Sequence, residues 1–212
     1  MEAFRTVTGA AAALLLDDVN TDQIIPSAYL KDMHADMAQG LLAYMRRTPE
    51  GETRPDFVLE KPQYQGAPIL LVGRNFGCGS SREHAVWALR AFGIRCVIGP
   101  APAEFFRENC LRNGVLPVVL DDAAMATLSA QVLQADGHVP FTVDLETCRI
   151  TGPDGHSWTF QLPESERTAL LEGLDDIGLT LRHTDAIVAW EAKVAATRPF
   201  MQSPIDRLVA GG

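Results

Sequence analysis

Ile69-Leu70-Leu71-Val72 is a wholly apolar run stopped by Gly73, and no other feature limits the fold of this chain as tightly. A strand with one wet face would show a polar residue at every second position. An unbroken apolar run instead reads as a strand covered on both faces. The loop Gly73 to Gly79 follows, and the pattern then predicts a helix from about Ser81 to Phe92. Ala85, Ala88, Leu89 and Phe92 fall at i, i+3, i+4 and i+7, one buried stripe, and Gly93 is placed to end it. The alternation continues through a strand at Cys96-Val97-Ile98, a helix from about Ala103 to Asn113, and a strand from Val115 to Leu120. Asp121-Asp122 then opens a helix with Met125, Leu128 and Val132 on one side, stopped by Gly137. Strands separated by helices of this length imply β-α-β crossovers and a mainly parallel sheet.

Outside this centre the pattern changes. Ala11 to Leu16 reads as a further strand, leading into the polar loop Asp17 to Asp22. Residues 31–66 are irregular and charge-rich, and are expected to be mobile in the isolated chain. Val139 to Leu145, Cys148 to Thr151 and Ser157 to Leu162 are strand-like, with Asp154-Gly155 as a hairpin turn. Helical patterns return at about 164–174 and 184–196. The expected architecture is α/β: a single domain over residues 1–196 with a mainly parallel sheet and an added β-hairpin, and a loose tail over 197–212. At 212 residues one domain is also the expected count.

Charge and cysteine usage exclude several functions. The net charge is −9, from 27 acidic and 18 basic residues, and a nucleic-acid surface needs a concentrated positive field. The apolar run Ala10 to Leu16 falls far short of the roughly 20 residues that span a bilayer. The residues before it, Met1-Glu2-Ala3-Phe4-Arg5, are not clearly basic, and Asp17-Asp18 stands where a signal peptide would be cleaved, so a buried strand is expected there. The four cysteines, Cys78, Cys96, Cys110 and Cys148, form no C-x-x-C pair. Their spacing points to a reducing, cytoplasmic setting and away from an iron–sulfur or zinc site completed within this chain.

The stretch most able to carry chemistry is Asn75-Phe76-Gly77-Cys78-Gly79-Ser80-Ser81-Arg82-Glu83-His84-Ala85. It lies between the carboxyl end of a buried strand and the start of a helix, the edge where open α/β sheets bind ligands. Gly77 and Gly79 allow a tight turn and a close approach of backbone to ligand. The unpartnered first amides of the helix favour an anion, and Arg82 offers a bidentate fork for a carboxylate. A plainer reading stands beside this one. Ser80-x-x-Glu83 matches a capping box, which needs no catalytic role, and a lone histidine such as His84 is commonly a structural hydrogen-bonding group.

Gly79-Ser80-Ser81-Arg82-Glu83-His84-Ala85 resembles the signature of the aconitase-superfamily swivelling domain, and the longer string Asn75 to Ala85 resembles the small subunit of 3-isopropylmalate dehydratase. The likeness extends to Asn20-Thr21-Asp22-Gln23-Ile24-Ile25-Pro26, to Pro55-Asp56-Phe57-Val58-Leu59 and to Pro62-Gln63-Tyr64-Gln65-Gly66. Gly173-Leu174-Asp175-Asp176-Ile177-Gly178-Leu179-Thr180-Leu181 and Asp185-Ala186-Ile187 continue it near the end. Several matches in the right order are more specific than any one of them.

The resemblance implies a swivelling β/β/α domain that forms a heterodimer with a large subunit carrying a [4Fe–4S] cluster, with no cofactor in this chain. Together the two would act as a hydro-lyase, isomerising 2-isopropylmalate to 3-isopropylmalate in leucine biosynthesis. By position in the motif, Ser80 would be the base that takes a proton from carbon. Arg82 would hold a substrate carboxylate, with Ser81, Gly77 and Gly79 shaping the pocket and Asp22 and His34 as further substrate contacts. Two departures bear on the substrate. Asp32-Met33-His34-Ala35-Asp36-Met37-Ala38 replaces an arginine-glycine-aromatic run, and Gly99-Pro100-Ala101-Pro102-Ala103 lacks an expected serine-phenylalanine pair. Alternatives are a small subunit for a related diacid (citraconate, dimethylmaleate or homoaconitate), a non-catalytic carboxylate-binding module, and a structural α/β domain with only a capping box.

Overall fold

The computed structural model describes residues 1–31 and 36–198. Eight strands form two four-stranded sheets among these residues. β2 (Ala11–Leu14), β3 (Ile69–Val72), β4 (Cys96–Gly99) and β5 (Leu116–Val119) pair side by side, all parallel, in sequence order. α4 (His84–Phe92) connects β3 to β4, and α5 (Glu104–Arg112) connects β4 to β5. Pro117 lies in β5, an edge strand of that sheet, where a missing amide donor is tolerated.

Both faces of β3 are covered, as its sequence requires, because side chains alternate across a strand. Ala12, Leu14, Leu70, Val72 and Val97 point to one core together with Ala85, Val86, Ala88 and Leu89 of α4 and Phe106 and Cys110 of α5. Ala11, Ile69, Leu71, Cys96 and Ile98 point to the other. There they meet Met125, Leu128 and Val132 of α6 (Asp122–Ala135) and the inner face of the second sheet.

That second sheet extends the added hairpin. β7 (Arg149–Thr151) and β8 (Ser157–Thr159) do form the hairpin, but they join β6 (Phe141–Asp144) and β1 (Thr6–Gly9) in an antiparallel sheet of order β1-β6-β7-β8. Phe141, Val143, Ile150 and Trp158 are its buried residues. The α/β class with a parallel sheet stands, and the hairpin is one half of a separate layer.

Residues 36–66 hold more regular structure than their irregular sequence pattern suggested. Short helices α2 (Met37–Gly40) and α3 (Ala43–Arg46) follow α1 (Thr21–Ile24), and Leu41, Leu42, Leu59 and Tyr64 are buried in the first core. Asp36 caps α2 by accepting from the Ala38 and Gln39 amides. The buried Arg46 pairs with Glu60 and donates from Nη1 to the carbonyls of Ala38 (2.7 Å) and Leu41 (3.0 Å).

Contacts divide the chain into two units, Met1–Gly173 and Leu174–Gly212. The first closes with α7 (Glu164–Glu172). The second carries α8 (Asp176–Leu181), capped by Asp175 accepting from Gly178 N at 2.7 Å, and α9 (Thr184–Thr197). Beyond Arg198 the expected tail lies outside the described residues. No described helix is long and apolar enough to cross a membrane.

Candidate active site

β2 and β3 are adjacent and parallel, so the loops leaving their carboxyl ends meet at one edge of the sheet. The first loop leads into α1, and the second, residues 73–83, leads into α4. They are laced together along their length. The Asp18 amide donates to Arg74 O (2.9 Å), the Asn75 side-chain amide to Asp18 Oδ1 (2.8 Å), and the Gly77 amide to Val19 O (2.7 Å). Next along, the Thr21 amide donates to Cys78 O at 2.9 Å. α1 presents this edge rigidly, because Asn20 Oδ1 accepts from the Gln23 amide while Gln23 Oε1 accepts from the Asn20 amide, a reciprocal cap.

The glycines have separate reasons. A Cβ on Gly77 would sit 2.2 Å from the Phe106 ring, so the room it leaves is filled by Phe106. Gly79 has φ +92° and meets only Asn20 and Thr21, at 3.5 Å or more, so its requirement is conformational.

Beyond Gly79 come the motif side chains. Ser80 and Ser81 are exposed and Arg82 is half-buried. Ser80 Oγ lies 3.1 Å from Thr21 Oγ1, and Arg82 Nη1 pairs with Asp22 Oδ1. α5 and its C-cap residue Asn113 hold the far side: the buried Asn109 donates to Ser81 O at 3.1 Å, and Asn113 donates to Glu83 Oε1 at 2.7 Å. These contacts decide the capping question. α4 begins at His84, later than the sequence predicted, with Glu83 at the N-cap and no side-chain capping bond. Ser80 is engaged with Thr21 and Glu83 with α5, so the capping box is not formed. His84 packs its ring on Trp87, centroids 4.4 Å apart.

Of the residues singled out from the sequence, Gly77, Gly79, Ser80, Ser81, Arg82 and Asp22 converge on this edge, and His34 lies outside the described residues. Thr21, Asn109 and Asn113 were missed. Thr21 had a legible neighbour signal, the Asn20-x-x-Gln23 cap that fixes it, whereas nothing local marks the two asparagines.

The arrangement offers a hydroxyl and a guanidinium to a small anionic ligand, with the Asp22 carboxylate orienting the guanidinium. It does not offer a metal site: among the described residues no group of three or more His, Cys, Asp or Glu converges on one point. Cys96 and Cys110 are fully buried, and burial raises both thiols well above their ordinary range, which opposes the thiolate that a cluster needs.

Three family models match the chain, and its relatives share one name. The aconitase C-terminal domain model matches residues 1–123, a model described as LeuD_N matches 128–164, and the C-terminal domain of the 3-isopropylmalate dehydratase small subunit matches 176–202. The chain is 48% identical over 201 residues to the 3-isopropylmalate dehydratase small subunit of Allorhizobium ampelinum, covering 94% of this chain and 100% of the relative. It is 45% identical over 202 residues to that of Paracoccus denitrificans, covering 95% and 100%. The crystal structure of a 3-isopropylmalate dehydratase protein from Methanocaldococcus jannaschii superposes with a TM-score of 0.59 at 24% identity, covering 88% of this chain and 99% of that one, a likeness of fold.

Proposed function

This chain belongs to the family of 3-isopropylmalate dehydratase small subunits, and from that premise we propose that it supplies one half of a hydro-lyase active site, with Ser80 as the base. The observation that carries this reading is the convergence of Ser80, Arg82 and Asp22 on one sheet edge from two loops, with the Ser80 hydroxyl unengaged in helix capping.

Elimination from a hydroxy diacid needs a base for the C–H proton and a Lewis acid for the departing hydroxyl. On this chain, Ser80 Oγ, as its alkoxide, takes the proton from carbon, the C–H electron pair becomes the new bond of the alkene, and the hydroxyl on the neighbouring carbon leaves with its C–O pair. Rehydration returns the proton. Arg82 holds a substrate carboxylate with the guanidinium donors that Asp22 leaves open, and Asp22 orients the fork. Ser81, Gly77 and Gly79 shape the wall. The Lewis acid comes from an iron–sulfur large subunit, the heterodimer partner. The substrate is 2-isopropylmalate, the product 3-isopropylmalate in leucine biosynthesis, and the setting is a reducing cytoplasm.

The test is reconstitution. The chain is combined anaerobically with a cluster-loaded large subunit and offered 2-isopropylmalate, citraconate, dimethylmaleate and homoaconitate. Turnover of 2-isopropylmalate only in the presence of both subunits is expected. Preferred turnover of another diacid would reassign the substrate, and turnover by the large subunit alone would overturn the shared site.

A further inference from the structure

Thr21 is a polar residue that the chain buries almost completely, at 1% exposure, beside the exposed Ser80. Burying a hydroxyl is unfavourable unless it is hydrogen-bonded, and this one has its partner in Ser80 Oγ, 3.1 Å away and 59 residues along the chain. Its position is fixed from several directions. It is the first residue of α1, behind the reciprocal Asn20–Gln23 cap; its amide donates to Cys78 O; and its carbonyl accepts from the Ile25 amide at 3.0 Å. One short residue thus grips the 78–80 turn by backbone and side chain, while Ser80 sits on a loop outside regular structure.

Resting on the assignment of Ser80 as the base, we propose that Thr21 is a positioning residue for the reaction, its buried hydroxyl aiming Ser80 Oγ at the substrate and donating to the Ser80 alkoxide. A serine χ1 has three staggered wells, and a fixed partner selects the one that faces it. A hydroxyl is donor and acceptor at once, so Thr21 donates while Ser80 is charged and turns to accept once Ser80 has taken the proton. Thr21 keeps its own proton throughout. Because the fold fixes this donor, it favours the charged form of Ser80 before the substrate arrives.

The experiment compares Thr21→Val, which keeps the shape and loses the hydroxyl, with Thr21→Ser, which keeps the hydroxyl, each assembled with the large subunit beside Ser80→Ala. A hydrogen bond to a charged group contributes enough that Thr21→Val should lower kcat by about 10- to 100-fold, with KM nearly unchanged. Removing a donor to the alkoxide raises the pKa of Ser80, so the acid limb of the kcat–pH profile should move to higher pH. Thr21→Ser should restore most of the rate and the original profile. If the valine variant fails to assemble, Thr21→Cys replaces it, with a weak donor at the same place and the same expected direction. Thr21→Val (or Thr21→Cys) within two-fold of wild type and with an unmoved profile, beside an inactive Ser80→Ala, would overturn the positioning role alone. An active Ser80→Ala would overturn the base assignment and this inference with it.

Discussion

The Asn113 side-chain amide donates to Glu83 Oε1 at 2.7 Å, so the carboxylate that would close a capping box on Ser80 belongs to α5 instead. Trp87 Nε1 donates to Asn113 Oδ1 at 3.0 Å and fixes the orientation of that amide. A tertiary contact has displaced a local pattern, and it leaves Ser80 with no part in holding the start of α4.

Replacing Ser80 should therefore leave the start of α4 intact, and its cost in stability should come only from the buried Thr21 hydroxyl that loses its partner, about 1 kcal/mol for Ser80→Ala in urea unfolding. Activity should behave differently. Assembled with the large subunit, Ser80→Ala and Ser80→Asn should lose about 10²-fold or more in kcat, the lower end of what a positioned proton-transfer group supplies. Near wild-type turnover by Ser80→Asn would remove the base assignment.

Arg82→Lys should act on binding. Lysine is a point charge that cannot present two parallel donors to a carboxylate while also meeting Asp22. Steady-state kinetics should show a strongly raised KM with a smaller change in kcat, the signature of lost ground-state binding. A kcat-only defect would move Arg82 from holding substrate to the chemical step.

How far the sequence could be read follows from where each signal resides. β3, α4, β4, α5 and β5 were legible because an apolar run or a helical stripe is local information. β1 was not: Thr6-Val7-Thr8-Gly9 is half-exposed on a sheet edge, and its partner Phe141–Asp144 is more than a hundred residues away. Leu41 and Leu42 are wholly buried, yet they sit between four-residue helices too short to show a period. At the site, the loop chemistry was visible in the Gly77 to Arg82 string. The start of α4 at His84 was not, because Asn109 and Asn113 reach over from another helix to hold Ser81 and Glu83. Thr21 was legible only through the Asn20-x-x-Gln23 cap around it, since burial of a threonine leaves no mark in sequence.

Gly77→Ala should be among the most damaging single-methyl additions in the site. The new Cβ would meet the Phe106 ring at 2.2 Å, and the backbone there holds φ +81°. Left-handed backbone costs about 1–2 kcal/mol for a residue with a Cβ, and overpacking typically 1–3 more, so a loss of about 3 kcal/mol is expected by denaturant unfolding. Phe106→Leu in the same chain should recover part of it, which a purely conformational penalty would not allow.

Thiol reactivity should divide the cysteines two and two. Burial pushes the Cys96 and Cys110 thiols up, which disfavours the thiolate of both in the folded chain. Cys78 and Cys148 are half-buried. Mass spectrometry after brief iodoacetamide treatment at pH 8 should find adducts on Cys78 and Cys148 alone, with Cys96 and Cys110 labelled only after denaturation. Early labelling of Cys96 would mean that β4 opens far more readily than its fully buried side chains imply.

The Arg46–Glu60 pair gives the strongest stability prediction. The two side chains are 7% and 12% exposed, and Arg46 also serves the carbonyls of Ala38 and Leu41 while its guanidinium lies 5.2 Å from the Phe92 ring centre. A buried pair contributes little relative to a hydrophobic replacement, but breaking it from one side leaves a charge without its partner. The two halves should then differ. Glu60→Gln keeps a hydrogen-bond acceptor for Arg46 Nε, and the carbonyl contacts of Arg46 survive. Arg46→Ala strands the Glu60 carboxylate, empties the space under Phe92 and leaves two backbone carbonyls without their donor. Urea unfolding should show about 3–5 kcal/mol lost for Arg46→Ala and clearly less for Glu60→Gln. Arg46→Met, which refills the space without a charge, should recover part of the loss when combined with Glu60→Gln, because that double change removes the stranded carboxylate as well. Equal losses for both single variants would mean that the ion pair itself, and not the carbonyl and ring contacts of Arg46, holds residues 36–60 in place.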